Sequence, residues 1–198
     1  MKRSFSALFI TTMLVVAANS ALAQADPNAQ MDEKTVRAEL IKHTRPSPSE
    51  TASQELSSGA KITIDYCSPS VKGRAIGKDV EPKDGQVWRA GANEATVFST
   101  DRDITVNGKS LPAGKYTFFT LKNGNNWTLI FNKVLVQPDG KPTWGAYSYE
   151  KDKAQDVLKV TVKGKKAPIF FERLLYNINK NGNVSLLWGD QWVSFHIN

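Results

Sequence analysis

Ten consecutive residues, Val87-Trp88-Arg89-Ala90-Gly91-Ala92-Asn93-Glu94-Ala95-Thr96, gather an indole, a guanidinium, a carboxamide and a carboxylate with small residues between them. A strand that only fills a core favours Val, Ile and Phe at alternate positions, so Gly91, Ala92, Asn93 and Glu94 in succession imply backbone held in a special shape around polar groups. Arg89 can clamp a carboxylate or phosphate through its planar fork, Asn93 offers both donor and acceptor, and Glu94 can act as a general base or orient a ligand hydroxyl. Lys72 and Arg74, in a Gly-containing loop just upstream, would add positive charge. The competing reading is architectural. In it Trp88 plugs the core, Arg89 and Glu94 pair with each other or with neighbouring loops, Asn93 satisfies turn backbone, and Gly91 makes a bulge.

Two further groups belong to this inventory. Phe170-Phe171-Glu172-Arg173-Leu174-Leu175 sets adjacent opposite charges inside an apolar strand, so Glu172 is expected either to line a pocket or to join a buried ion pair with a residue such as Arg89 or Glu94. Trp144, in Pro142-Thr143-Trp144-Gly145, is carried on a loop, where an indole can serve as a platform for a sugar; core filling is the commoner use of Trp. Ser194 and His196 fall on one face of the last strand, but mid-strand backbone gives no strained elbow for a nucleophile.

Metal and redox chemistry find little support. Cys67 is the sole cysteine and His43 and His196 are the two histidines, which gives no ligand spacing for a metal and no intramolecular disulfide. No cofactor signature is present. Cys67 reads as a small, partly buried strand residue.

The chain opens Met1-Lys2-Arg3, runs apolar from Phe5 to Ala18 and reaches Ala21-Leu22-Ala23, the three parts of a secretory signal peptide over residues 1–23. The apolar run is short for a membrane span, and no later stretch approaches one, so no transmembrane anchor is expected after cleavage. The expected compartment is the periplasm or the extracellular space. Loss of Lys2 and Arg3 leaves 24 basic against 19 acidic residues, a net charge of +5. That balance is mild, and most of the lysines are scattered. Only residues 163–166 cluster, at what reads as a strand edge protected by charge, so nucleic acid is not an expected partner. A small molecule, a glycan or an envelope protein remains.

The elements that must position these groups are strands. Residues 24–58 are rich in Ala, Gln, Asp, Pro and Ser and read as a linker and extended lead-in, with a marginal helix over 32–43. From Gly59 the pattern alternates, with strands predicted over 61–66, 95–100, 104–106, 115–122, 127–133, 157–162, 169–179, 184–188 and 191–197. Asn107-Gly108, Asn123-Gly124, Asp139-Gly140 and Asn181-Gly182 lie between them and suit tight hairpin turns. The strand after Leu111-Pro112-Ala113-Gly114 is apolar on both faces, which predicts a central position. The chain therefore reads as all-β, an antiparallel β-sandwich or jelly-roll-like barrel in a single domain over 59–198.

Pro69-Ser70-Val71-Lys72-Gly73-Arg74, the Val87 to Thr96 block, Leu111-Pro112-Ala113-Gly114-Lys115-Tyr116 and Trp144-Gly145-Ala146-Tyr147, in that order, resemble domain-of-unknown-function family 2911, a group of exported bacterial proteins with a WRxGANEAT motif. The resemblance covers residues 45–198. It implies export and a β-rich domain and supplies no activity. One departure is visible: the family usually carries Arg before the Pro of the first motif, and this chain has Ser68. The expected role is a ligand-binding or structural module; the alternative is a hydrolase-like enzyme using Glu94 with Arg89 and Asn93.

Overall fold

Backbone pairing organises the chain into two layers of antiparallel strands. The computed structural model describes residues 40–41, 43–144 and 148–198. The signal-peptide pattern and positions 32–39 and 42 of the expected helix lie outside the described residues; the rest of that helix, Leu40, Ile41 and His43, is helical, and so is Thr44 just beyond it.

The larger layer runs β1 (Ser49–Glu55), β2 (Lys61–Cys67), β4 (Thr96–Thr100), β7 (Gly114–Asn123), β8 (Asn126–Asn132) and β9 (Asp156–Lys163), in that spatial order, with the two-residue β3 (Val87–Trp88) also on β7. The smaller layer is the long hairpin of β10 (Lys165–Ile178) and β11 (Asn183–His196). A short hairpin of β5 (Ile104–Val106) and β6 (Lys109–Leu111) joins the end of β11 through a bridge between Val106 and Ile197. Its two-residue turn, Asn107-Gly108, has φ of 47° and 80°, the left-handed pair that a tight hairpin requires. The sheet order ends at β1 and β9 and does not close, so the architecture is a sandwich and not a barrel.

Alternation places one face of each strand in a shared core. Ile62, Ile64, Phe98, Phe118 and Phe131 from the large sheet meet Tyr176, Leu186 and Phe195 from the hairpin, all buried. The contact is aromatic across the gap: Tyr66 meets Tyr176 edge-on at 4.8 Å, and Phe118 lies 6.1 Å from Phe195. As expected of a central strand, β7 is buried on both sides. Phe118 faces the main core, while Phe119 packs outward with Ala95, Ile130 and Tyr149 in a second cluster. Tyr149 sits on the single-turn helix α1 (Tyr149–Asp152), its ring 5.1 Å from that of Phe119.

Four elements differ from the sequence reading, one of them the three-residue β6, for which the pattern predicts no strand. β1 lies within the stretch read as an extended lead-in; its sequence, SETASQE, has no apolar alternation, and its pairing with all seven residues of β2 rests on backbone bonds. β11 is one strand where two were expected, because Gly189, with φ of 58°, lets the chain bend without leaving the ladder. The two-residue β3 is too short to carry a periodicity.

Candidate functional site

The motif block is an interruption in a strand. Trp88 pairs with Thr120 and Thr96 with Phe118, so residues 89–95 all stand opposite the single residue Phe119. A loop of this kind must satisfy its own backbone groups. The Trp88 indole donates to the Gly91 carbonyl at 3.0 Å, and the Ala90 carbonyl accepts from the Thr96 hydroxyl at 3.0 Å and from the buried Tyr176 hydroxyl at 2.7 Å. Ala90 and Asn93 adopt φ of 55° and 56°, conformations uncommon for residues with a Cβ. At Gly91 the reason for glycine is space: a Cβ there would stand 2.8 Å from Thr96 Oγ1 and 3.2 Å from the Cys67 carbonyl oxygen.

That close approach lays the loop against the end of β2, where a polar cluster forms. Arg45 donates to Glu94 at 2.9 Å, to Ser49 Oγ at 3.1 Å and to Cys67 Sγ at 3.4 Å. The Cys67 thiol donates to the other Glu94 oxygen at 3.4 Å, and Asn93 donates to the Ser47 carbonyl at 3.1 Å. Burial pushes the Glu94 carboxyl up, but the bonds it accepts from Arg45, its own amide and Cys67 outweigh burial and hold it below the usual carboxylate range. The bond to Glu94 in turn raises the Arg45 pKa. Burial pushes the Cys67 thiol up despite the opposing bonds of Ser49 and Asn93, and the Glu94 charge adds to the rise. The cluster therefore holds a carboxylate, a guanidinium and a protonated thiol, an arrangement that accepts hydrogen bonds at Glu94 and supplies no free nucleophile.

Glu94 also lines an open depression of about 610 Å³. Its wall comes from the β8 to α1 connection: the Ala95 amide donates to the Thr143 carbonyl at 2.9 Å, and Glu94 and Trp144 form a β-bridge. Thr143 is anchored below by its hydroxyl, which donates to the Val134 carbonyl at 3.1 Å. Trp144 is left 44% exposed beside Glu94, with Gln137, Asp139 and Lys141 on the same rim.

The other expected site residues lie elsewhere or are used structurally. Trp88 is buried and stacks on Trp188 at 5.7 Å, as the architectural reading has it. Arg89 is half-buried at the start of the loop, where its carbonyl accepts from the Thr96 amide. The partner of Glu94 is Arg45 and not Arg89. Arg74 folds back on its own loop, donating to the Val71 and Ser70 carbonyls at 3.0 and 2.6 Å. Lys72, at φ of 50°, gives its backbone amide to the Glu172 carboxylate at 2.8 Å. Glu172 is thus exposed on β10, where it closes the Lys72 loop and lines a shallow depression with Glu50 and Phe170; of the two expectations, a pocket-lining carboxylate and a buried pair with Arg89 or Glu94, the pair is not formed. No second carboxylate from that strand joins Glu94 for hydrolytic chemistry.

Sequence reasoning missed Arg45 and Ser49 and gave Cys67 no role in a site. Arg45 is separated from Glu94 by 49 positions, and its Arg-Pro-Ser-Pro setting reads as linker. The Arg45-Pro46 pair at the start of the lead-in is the one local signal. Among the described residues no group of three or more His, Cys, Asp or Glu side chains is arranged to hold a metal ion.

The family described as "Protein of unknown function (DUF2911)" matches residues 47–197, from the turn before β1 to the end of the sandwich. No curated protein and no solved structure matches the chain.

Proposed function

The chain belongs to the DUF2911 family of proteins of unknown function, and on that premise we propose that it binds a polyhydroxylated ligand, a glycan or sugar fragment, in the depression between Trp144 and Glu94. One observation carries this reading: Trp144 is 44% exposed directly beside a bonded carboxylate, whereas Trp88, Trp127 and Trp188 are each 3% exposed or less. Leaving an indole in water forfeits the burial that these three tryptophans obtain, so its face is available for a ligand. The apolar C–H face of a pyranose stacks on such a surface, and its hydroxyls need fixed acceptors at the edge. Glu94, ionised and held by Arg45 and Cys67, is one. Anionic ligands are disfavoured because Arg45 is already committed to Glu94, Ser49 and Cys67. The rim, where Lys141 pairs with Asp139 at 2.9 Å, has no surplus of either charge.

Export belongs to the same proposal, and the basic start, apolar run and Ala21-Leu22-Ala23 box support it. Mass spectrometry of the exported protein is expected to find its N-terminus at or near Gln24; a chain retaining Met1 outside the cytoplasm would contradict it. The binding reading is tested by thermal shift against a panel of neutral saccharides. A ligand at a hundred times its Kd stabilises the native state by about 2.7 kcal/mol, enough for a shift of several degrees.

A further inference from the structure

The β10–β11 ladder breaks at two places, between Lys166 and Phe171 and between Phe171 and Leu175, and the first break exposes a run of apolar side chains. Lys166 pairs with Gln191 and Phe171 with Gly189, so residues 167–170 stand opposite Asp190 alone. Three of those four residues, Pro168, Ile169 and Phe170, are exposed, Ile169 at 65% and Phe170 at 61%. Nothing in the core requires this, since Ala167 fills the inward position and is buried. Immediately before the bulge come Lys165 and Lys166, both exposed. Lys165 lies 5.9 Å over the Trp192 ring, and Lys166 shares a depression of about 560 Å³ with Arg74, Ile76 and Phe170.

From this arrangement we propose that the β10 bulge is a membrane-surface contact: Ile169 and Phe170 insert among the acyl chains at the interface, and Lys165, Lys166 and Arg74 take anionic lipid headgroups. An apolar tip with cations at its base is what an anionic bilayer surface selects, because each term is weak alone and the two add. Asp190, Glu172 and Glu50 are the acids beside it, and Arg173 is a fourth cation on the same side. Asp190 is engaged by the Gln191 side-chain amide at 2.9 Å and Glu172 by the Lys72 backbone, and the four cations, Lys165, Lys166, Arg74 and Arg173, outnumber the three acids at the tip. A second copy of the chain fits this surface less well. Three side chains present on the order of 300 Å², against about 800 Å² per partner in a stable interface. The bulge and Pro168 also break the row of backbone donors that strand-to-strand association needs.

Sedimentation of the full chain with vesicles tests the proposal. Wild type is expected to pellet with phosphatidylcholine vesicles containing phosphatidylglycerol and far less with phosphatidylcholine alone. The pair Ile169→Ser and Phe170→Ser should lower partitioning at least tenfold, and the pair Lys165→Gln and Lys166→Gln should lower it by about the same factor. Both double variants should keep wild-type melting, because the altered side chains are exposed. All chains share one N-terminus, so the differences report on the tip. Equal binding to both vesicle types, or unchanged binding by either double variant, would overturn the proposal. So would a wild-type dimer that becomes monomeric on Phe170→Ser, which would assign the tip to a second copy.

Discussion

Glu94 receives hydrogen bonds from two side chains, and Arg45 sets its charge. Arg45 and Glu94 retain 20% and 30% of their side-chain exposure, so their pair lies between the surface and buried regimes. Arg45→Ala is expected to cost roughly 1–3 kcal/mol in chemical denaturation. Arg45→Ala with Glu94→Gln should cost less than the sum of the two single changes. The pH dependence follows from the lowered Glu94 pKa. A depressed carboxylate contributes its stability above its unfolded value of about 4.3 and loses it as pH falls through the folded value. The gap between wild type and Arg45→Ala should therefore be complete at neutral pH and close below about pH 4; a gap unchanged down to pH 3 would refute the pairing. Small residues bracket Glu94 and make it visible in the sequence. Arg45 stays hidden there, since a contact across 49 positions depends on how β1 enters the sheet and leaves no local pattern.

Strands with one apolar face are legible in the sequence, and those held mainly by backbone pairing are not. β2, β4, β7 and β8 carry buried alternation, and their predicted ranges agree with the observed ones to within a residue or two. β1 and β3 lack it, and they are the two elements that frame the site, one bringing Arg45 and Ser49 toward β2, the other opening the loop over Phe119. The loop itself is legible as special backbone and not as a seven-for-one interruption of a ladder, which only the register reveals. Its tightest point gives the prediction that belongs at this scale. Gly91→Ala puts a methyl carbon 2.8 Å from Thr96 Oγ1 and 3.2 Å from the backbone of Cys67. Neither neighbour can withdraw without breaking the Ala90 bond or the end of β2, so a loss of roughly 1–3 kcal/mol is expected. A variant that melts like wild type would show that the loop is not clamped to β2.

Across the whole molecule, two layers fill one core and leave two large aromatic side chains more than 40% exposed among the described residues, Trp144 at 44% and Phe170 at 61%. They occupy different elements: Trp144 lies on the β8 to α1 connection beside Glu94, and Phe170 on the β10 bulge. The proposed ligand face and the proposed docking tip are thus separate places in the sandwich, each open to alteration without disturbing the other. The binding claim is the central one, and Trp144 tests it most directly. Wild type, Trp144→Ala and Glu94→Gln are titrated with each saccharide that shifts the wild-type melting curve. The account predicts a saturable response in wild type, its loss in Trp144→Ala with melting unchanged in the absence of ligand, and a weakened response in Glu94→Gln. An undiminished response in Trp144→Ala would contradict the account, as would a saccharide panel that leaves the wild-type melting curve unmoved.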